Sequence, residues 1–161
     1  MGSGVSGLYI GTHGSHFSVG SLNYMRNDDE FLNSIQKRKD VDPNGYLDIV
    51  AHGDVKRISV VYKGKEIELS NKAFVRFLKE TGKFSPKQKI RLLSCNTGLI
   101  PHSFAQGLAD RLHVEVLAPK GYVAVDRSGK YAVYKGRYEK GVLNLYEKTG
   151  FKSFYPQGGK Q

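Results

Sequence analysis

The sequence predicts an α/β fold, with a central, mostly parallel sheet flanked by helices and an antiparallel β extension at its C-terminal end. Three observations lead there. Tyr46-Leu47-Asp48-Ile49-Val50-Ala51 and Ile90-Arg91-Leu92-Leu93-Ser94 are nearly continuous apolar runs, the pattern of strands buried on both faces. A helical pattern separates the second run from Val114-Glu115-Val116-Leu117, and strand, helix, strand over about thirty residues is a crossover unit between parallel strands. From Tyr122 to Phe154, short β segments alternate with Gly129, Gly136, Gly141 and Gly150.

Taken in order, Val5 to Ile10 is a short apolar run ending in a glycine-rich turn and reads as a strand. Residues 14–30 are polar and irregular, and Phe31, Leu32 and Ile35 give a weak helical pattern over 31–37. Asp42-Pro43-Asn44-Gly45 is a strong turn signal, since proline presets φ and glycine accepts positive φ. Ile58 to Tyr62 and Glu66 to Leu69 flank Lys63-Gly64-Lys65 as a hairpin. Ser70 stands at an N-cap position, with Ala73, Phe74, Phe77 and Leu78 at helical spacing behind it and Gly82 as a C-cap. The second apolar run breaks at Asn96-Thr97-Gly98. Pro101 then opens a helix whose Phe104, Leu108 and Leu112 share one face.

At 161 residues and 39% hydrophobic content, the chain is expected to form a single domain over 1–161 with a real core. Met1-Gly2-Ser3-Gly4 lacks the regions of a secretory signal and reads as a clipped linker. No apolar run is long enough to span a membrane. One cysteine excludes an intramolecular disulfide and a multi-cysteine zinc site, and no metal or cofactor is expected. A net charge of +10 favours anionic partners, such as nucleic acid, lipid headgroups or an acidic inhibitor protein, although lysine-rich surfaces also serve solubility alone.

Ligand and catalytic sites of open α/β sheets lie beyond the carboxyl ends of the strands. Two strands here end in reactive side chains, Ile49-Val50-Ala51-His52-Gly53 and Leu92-Leu93-Ser94-Cys95-Asn96. If the strands are parallel neighbours, His52 and Cys95 emerge on one edge. An imidazole can take the proton of a thiol and later deliver it to a leaving amine. Gly53 lets a substrate approach the backbone, and the amides of Gly53 and Cys95 are the expected oxyanion donors. His13 in Thr12-His13-Gly14-Ser15-His16, together with Ser94, Asn96 and Asp54, is a candidate lining the cleft. Asp48 is expected to face away from Ile49 and is set aside as an orienter of His52, with Asp54 as the alternative. His102 and His113 read as surface residues. Lys56, Arg57, Arg91 and Arg111 read as a solvated face. Each candidate also has a bland account: a lone cysteine ending a buried strand is usually a small core residue, and a lone histidine usually a satisfied polar group. The glycines of 11–20 lack phosphate-loop spacing, and no acidic pair is spaced for a glycosidase or two-metal nuclease.

Ala51-His52-Gly53 followed by Leu92-Leu93-Ser94-Cys95-Asn96-Thr97-Gly98 resembles the histidine and cysteine blocks of the caspase-like (clan CD) cysteine peptidases. That group includes caspases, clostripain- and gingipain-type peptidases, CHAT domains and the self-processing domains of large bacterial toxins. The stretch from Leu92 to Pro119, with Phe104-Ala105-Gln106 and Leu117-Ala118-Pro119, resembles C-terminal domains of bacterial polymorphic toxins, and Phe154-Tyr155-Pro156-Gln157-Gly158-Gly159 is similar to their ending. The resemblance covers about residues 46–159. It implies a caspase-like sheet, His52 as base and Cys95 as nucleophile of a cysteine endopeptidase. It further implies a toxin effector or self-processing module, released from a secreted toxin and acting in the target-cell cytoplasm. A protein or peptide substrate, an acidic immunity or inhibitor protein and an anionic activator are the partners it implies. Two other readings stay open: a basic, metal-independent ribonuclease toxin, and a non-catalytic binding module. Acyl transfer in place of hydrolysis is equally compatible with the dyad.

Overall fold

Two neighbouring parallel strands organise the chain, β4 (Leu47–Val50) and β8 (Ile90–Leu93). The computed structural model describes residues 5–11, 22–24, 45–80, 87–126, 128 and 130–157. The expectations for residues 14–21 and 25–30, the helical pattern over 31–37, His13, Gly82 and the chain end beyond Gln157 lie outside them.

β4 and β8 are central to a six-stranded sheet. On one side follow β2 (Leu8–Gly11) and β3 (Leu22–Tyr24), on the other β9 (Val116–Pro119) and β13 (Phe151–Phe154). A second sheet holds β1 (Val5–Ser6), β5 (His52–Gly53), β6 (Ile58–Tyr62) and β7 (Lys65–Leu69). The third is antiparallel, with β10 (Tyr122–Val125), β11 (Tyr131–Glu139) and β12 (Val142–Thr149) in that order. Two helices occur among the described residues, α1 (Asn71–Glu80) and α2 (Phe104–Leu112).

The fold is therefore mostly β, and the expectation of a caspase-like α/β core flanked by helices is corrected. Among the described residues only β4–β8 and β8–β9 pair in parallel; β2–β3, β2–β4 and β9–β13 are antiparallel. The physical reason lies in what covers the sheet. Continuous apolar runs signal burial on both faces, and both faces are buried. On one face Ile49 and Leu92 enter a core with Phe74 and Leu78 of α1 and Phe104 and Leu108 of α2. On the other, Tyr9, Val50 and Leu93 are covered by Val125, Tyr131 and Phe151. The third sheet takes the place of a second helical layer, with Phe151 of the edge strand β13 packed beside it, and periodicity cannot tell one apolar cover from another.

Local chemistry explains the elements that set up the site. Lys63 (φ 51°) and Gly64 (φ 82°) make the two-residue turn between β6 and β7, where both central residues need positive φ. Ser70 Oγ accepts the Ala73 amide at 3.2 Å and so caps α1. α2 begins at Phe104, three residues after Pro101. Its first amides are occupied by loop carbonyls, Phe104 N–H on Val55 at 2.7 Å and Ala105 N–H on Thr97 at 3.1 Å. The helix start thus ties the segment after His52 to the segment after Cys95.

Candidate active site

Side chains of β4 and β8 alternate between the two faces of the sheet, as strand geometry requires. Asp48 is opposite Arg91 and Val50 opposite Leu93, all four on the face covered by the third sheet. Leu47, Ile49, Ile90 and Leu92 fill the helix-covered face. His52 and Cys95 each come two residues after the last paired residues of β4 and β8, His52 on β5 of the second sheet and Cys95 in the turn that follows β8. Gly53 packs against Ser94: a Cβ built on Gly53 would stand 2.3 Å from Ser94 Oγ and 3.3 Å from Thr97 Cγ2.

The pair below the candidate dyad is an ion pair. Arg91 Nε donates to Asp48 Oδ1 at 2.5 Å and an Arg91 terminal nitrogen to Asp48 Oδ2 at 2.9 Å. Both side chains are buried, Asp48 completely. The Arg91 guanidinium also lies 5.3 Å from the Tyr46 ring and 5.8 Å from the Tyr131 ring. Arg91 is thus a core residue and not part of a solvated face. Burial, with the Asp48 charge as a second cause, pushes the Tyr9 phenol up to about 12.

His52 is exposed, and Gly53 half-buried, on β5. Hydrogen bonds on either side of Gly53 set the course of its backbone. Leu47 N–H donates to Lys89 O and Ala51 N–H to Leu93 O, so the odd-numbered amides along β4 and at Ala51 point toward β8. Asp54 N–H donates to Arg57 O at 2.9 Å, which makes Asp54 and Arg57 a hydrogen-bonded pair. Gly53 and Ile58, the next pair along, are then a non-hydrogen-bonded pair, and the Gly53 amide points away from β6. Asp54 does not orient the imidazole through Oδ1, which accepts the amides of Lys56 and Arg57, each at 2.9 Å.

Cys95 follows β8 in a turn and is half-buried. Its sulfur accepts the Val123 amide of β10 at 3.3 Å. Burial pushes the thiol pKa up, while the Val123 and Cys95 backbone amides pull it part of the way back. Asn96 takes a left-handed conformation (φ 62°), tolerable for asparagine, and its amide donates to Gly121 O at 2.7 Å. Gly98 N–H donates to Pro119 O at 2.9 Å, so the turn is stitched to the β9–β10 connection. Ser94 is fully buried, and its hydroxyl has no partner among the described residues.

The structure brings Gly53 against Ser94 and turns the Gly53 amide away from β6. A recess that touches His52 opens instead over β6 and β7, and Cys95 is not in its wall. No group of three or more metal-ligating side chains occurs among the described residues. No described helix is long and apolar enough to cross a membrane. Sequence reasoning missed the Asp48–Arg91 pair, although one signal was available: a charged residue of opposite sign interrupts each apolar run, four positions before His52 and before Cys95. The Val123 amide had no signal, because backbone donors are silent in a sequence.

Residues 20–133 match the family described as Domain of unknown function (DUF8616), and the chain belongs to that family. No curated protein and no solved structure matches it.

Proposed function

We propose that the protein is a cysteine-dependent endopeptidase in which His52 is the base and Cys95 the nucleophile. The observation that supports this reading is that β4 and β8 are parallel neighbours in register and that His52 and Cys95 follow their C-terminal ends at the same offset. The Cys95 sulfur attacks the scissile carbonyl carbon and its proton passes to His52. Because burial favours the neutral thiol, the proton leaves during attack and not beforehand. The Val123 amide, already on the sulfur, stabilises the negative charge as it develops there. The carbonyl oxygen becomes an oxyanion facing the Gly53 and Cys95 amides. Collapse breaks the C–N bond, and His52 returns the proton to the departing amine. Water, deprotonated by His52, then opens the thioester and restores the thiol.

A role as a toxin effector or self-processing module, with an acidic inhibitor or an anionic activator as partner, rests on the resemblance of the His52 and Cys95 segments. The test is a comparison of cut sites across the proteome of cells making the wild type or Cys95→Ala. New protein termini that depend on Cys95 and His52 are expected. Identical termini in both cultures would overturn the assignment.

A further inference from the structure

We infer that the recess beside His52 is a subsite for a basic side chain, lysine or arginine, of a bound peptide, a proposal that rests on reading His52 as the base. Ile58 and Val60 of β6 point into the core, so Ser59 and Val61 face outward. His52 lies opposite Ser59 and Glu66 opposite Val61, which puts all four on the outer face of the second sheet. Between them is a cavity of about 200 Å³, with Gly7 and Gly64 also in its wall. That is room for roughly seven waters at ~30 Å³ each, enough for one extended side chain.

The polarity of the wall selects the chemistry. Glu66 is its carboxylate, and it has no ion-pair or hydrogen-bond partner among the described residues. A chain of net charge +10 offers few places that attract a cation, and this one adjoins the imidazole. A lysine or arginine entering the recess pairs with Glu66. A neutral side chain desolvates that carboxylate without compensation, and an acidic one is repelled. Discrimination therefore comes from what the recess rejects as much as from what it holds.

Direct binding tests this without requiring turnover. The probes are fluorescein-labelled extended peptides that differ at one central residue, lysine, arginine, norleucine or glutamate. They are titrated into the full-length Cys95→Ala protein and followed by anisotropy. The lysine and arginine peptides are expected to bind at least ~10-fold more tightly than norleucine, with the glutamate peptide weakest. Glu66→Gln, a near-isosteric change on an exposed strand, should abolish the preference, and Glu66→Lys should reverse it toward glutamate. Equal binding of lysine and norleucine peptides, a preference that survives Glu66→Gln, or no binding of any peptide would each overturn the subsite. If the basic peptide binds through Glu66 but the wild type never cuts it, the subsite stands and the peptidase reading fails.

Discussion

Asp48 and Arg91 face each other across neighbouring parallel strands through two hydrogen bonds, and each stands four residues before a candidate catalytic side chain, Asp48 before His52 and Arg91 before Cys95. A one-residue slip of β4 against β8 would separate the charges and break the equal offset of His52 and Cys95. The pair therefore specifies the register on which the proposed dyad depends. Removing one partner leaves a buried charge uncompensated. Arg91→Ala is expected to cost about 3–5 kcal/mol in urea denaturation, whereas Asp48→Leu with Arg91→Met should recover most of that. A cost below about 1 kcal/mol for Arg91→Ala would mean that the pair does not hold the register.

Tyr9 gives the same cluster a signature in alkali. In the unfolded chain its phenol ionises near 10, while in the fold it stays protonated up to about 12. Between those values the unfolded state carries fewer protons, so stability falls as pH rises. The loss across pH 10 to 12 should reach roughly 2–3 kcal/mol, and Tyr9→Phe should be flatter over that window by this amount. Parallel curves for the two proteins would show that the phenol ionises normally.

Ser94 and Gly53 test the packing beneath the site. The Ser94 hydroxyl is buried without a partner among the described residues, so Ser94→Ala is expected to be neutral or to stabilise by about 1 kcal/mol. Gly53→Ala should destabilise by about 1–3 kcal/mol, since its methyl meets Ser94 Oγ and, at 3.2 Å, the Arg57 carbonyl. Thermal melts of the single and double variants will show whether Ser94→Gly relieves Gly53→Ala. Independent, additive effects would argue against the contact.

The centre of the molecule was more legible in the sequence than its cover. The hairpin around Lys63-Gly64 is local turn chemistry, and the parallel β8–β9 pair around α2 follows from strand–helix–strand spacing. What failed was the step from buried strands to a helix-flanked sheet. Leu93 and Val50 are as apolar beneath Tyr131 and Phe151 as they would be beneath a helix. His52 and Cys95 stood out because each is a reactive residue ending an apolar run. Glu66 did not, because a glutamate on an exposed hairpin strand has no distinguishing sequence signal until the fold sets it beside His52.

The titration of Cys95 follows from its burial. With His52→Ala, alkylation by iodoacetamide is expected to stay slow at pH 7 and to keep climbing past the ordinary thiol range near 8.5. The wild type should react at least ~10-fold faster at neutral pH, because the imidazole removes the proton during attack, and the two rates should converge in alkali. Superimposable profiles would remove His52 as the base.

A covalent test of the dyad geometry needs no substrate. If β4 and β8 keep their register through residues 52 and 95, the two Cα atoms lie about 5 Å apart, within the 4.4–6.8 Å that a disulfide spans. His52→Cys should therefore form a disulfide with Cys95 under mild oxidation, read as the loss of both thiols by Ellman titration and of two protons by intact mass. Ser59→Cys is the control. Ser59 lies on β6, beyond His52 and one strand further from β8, so its thiol should stay free beside Cys95. If His52→Cys also keeps both thiols free, β4 and β8 do not carry their alternation into residues 52 and 95, and the proposed dyad loses its geometric basis.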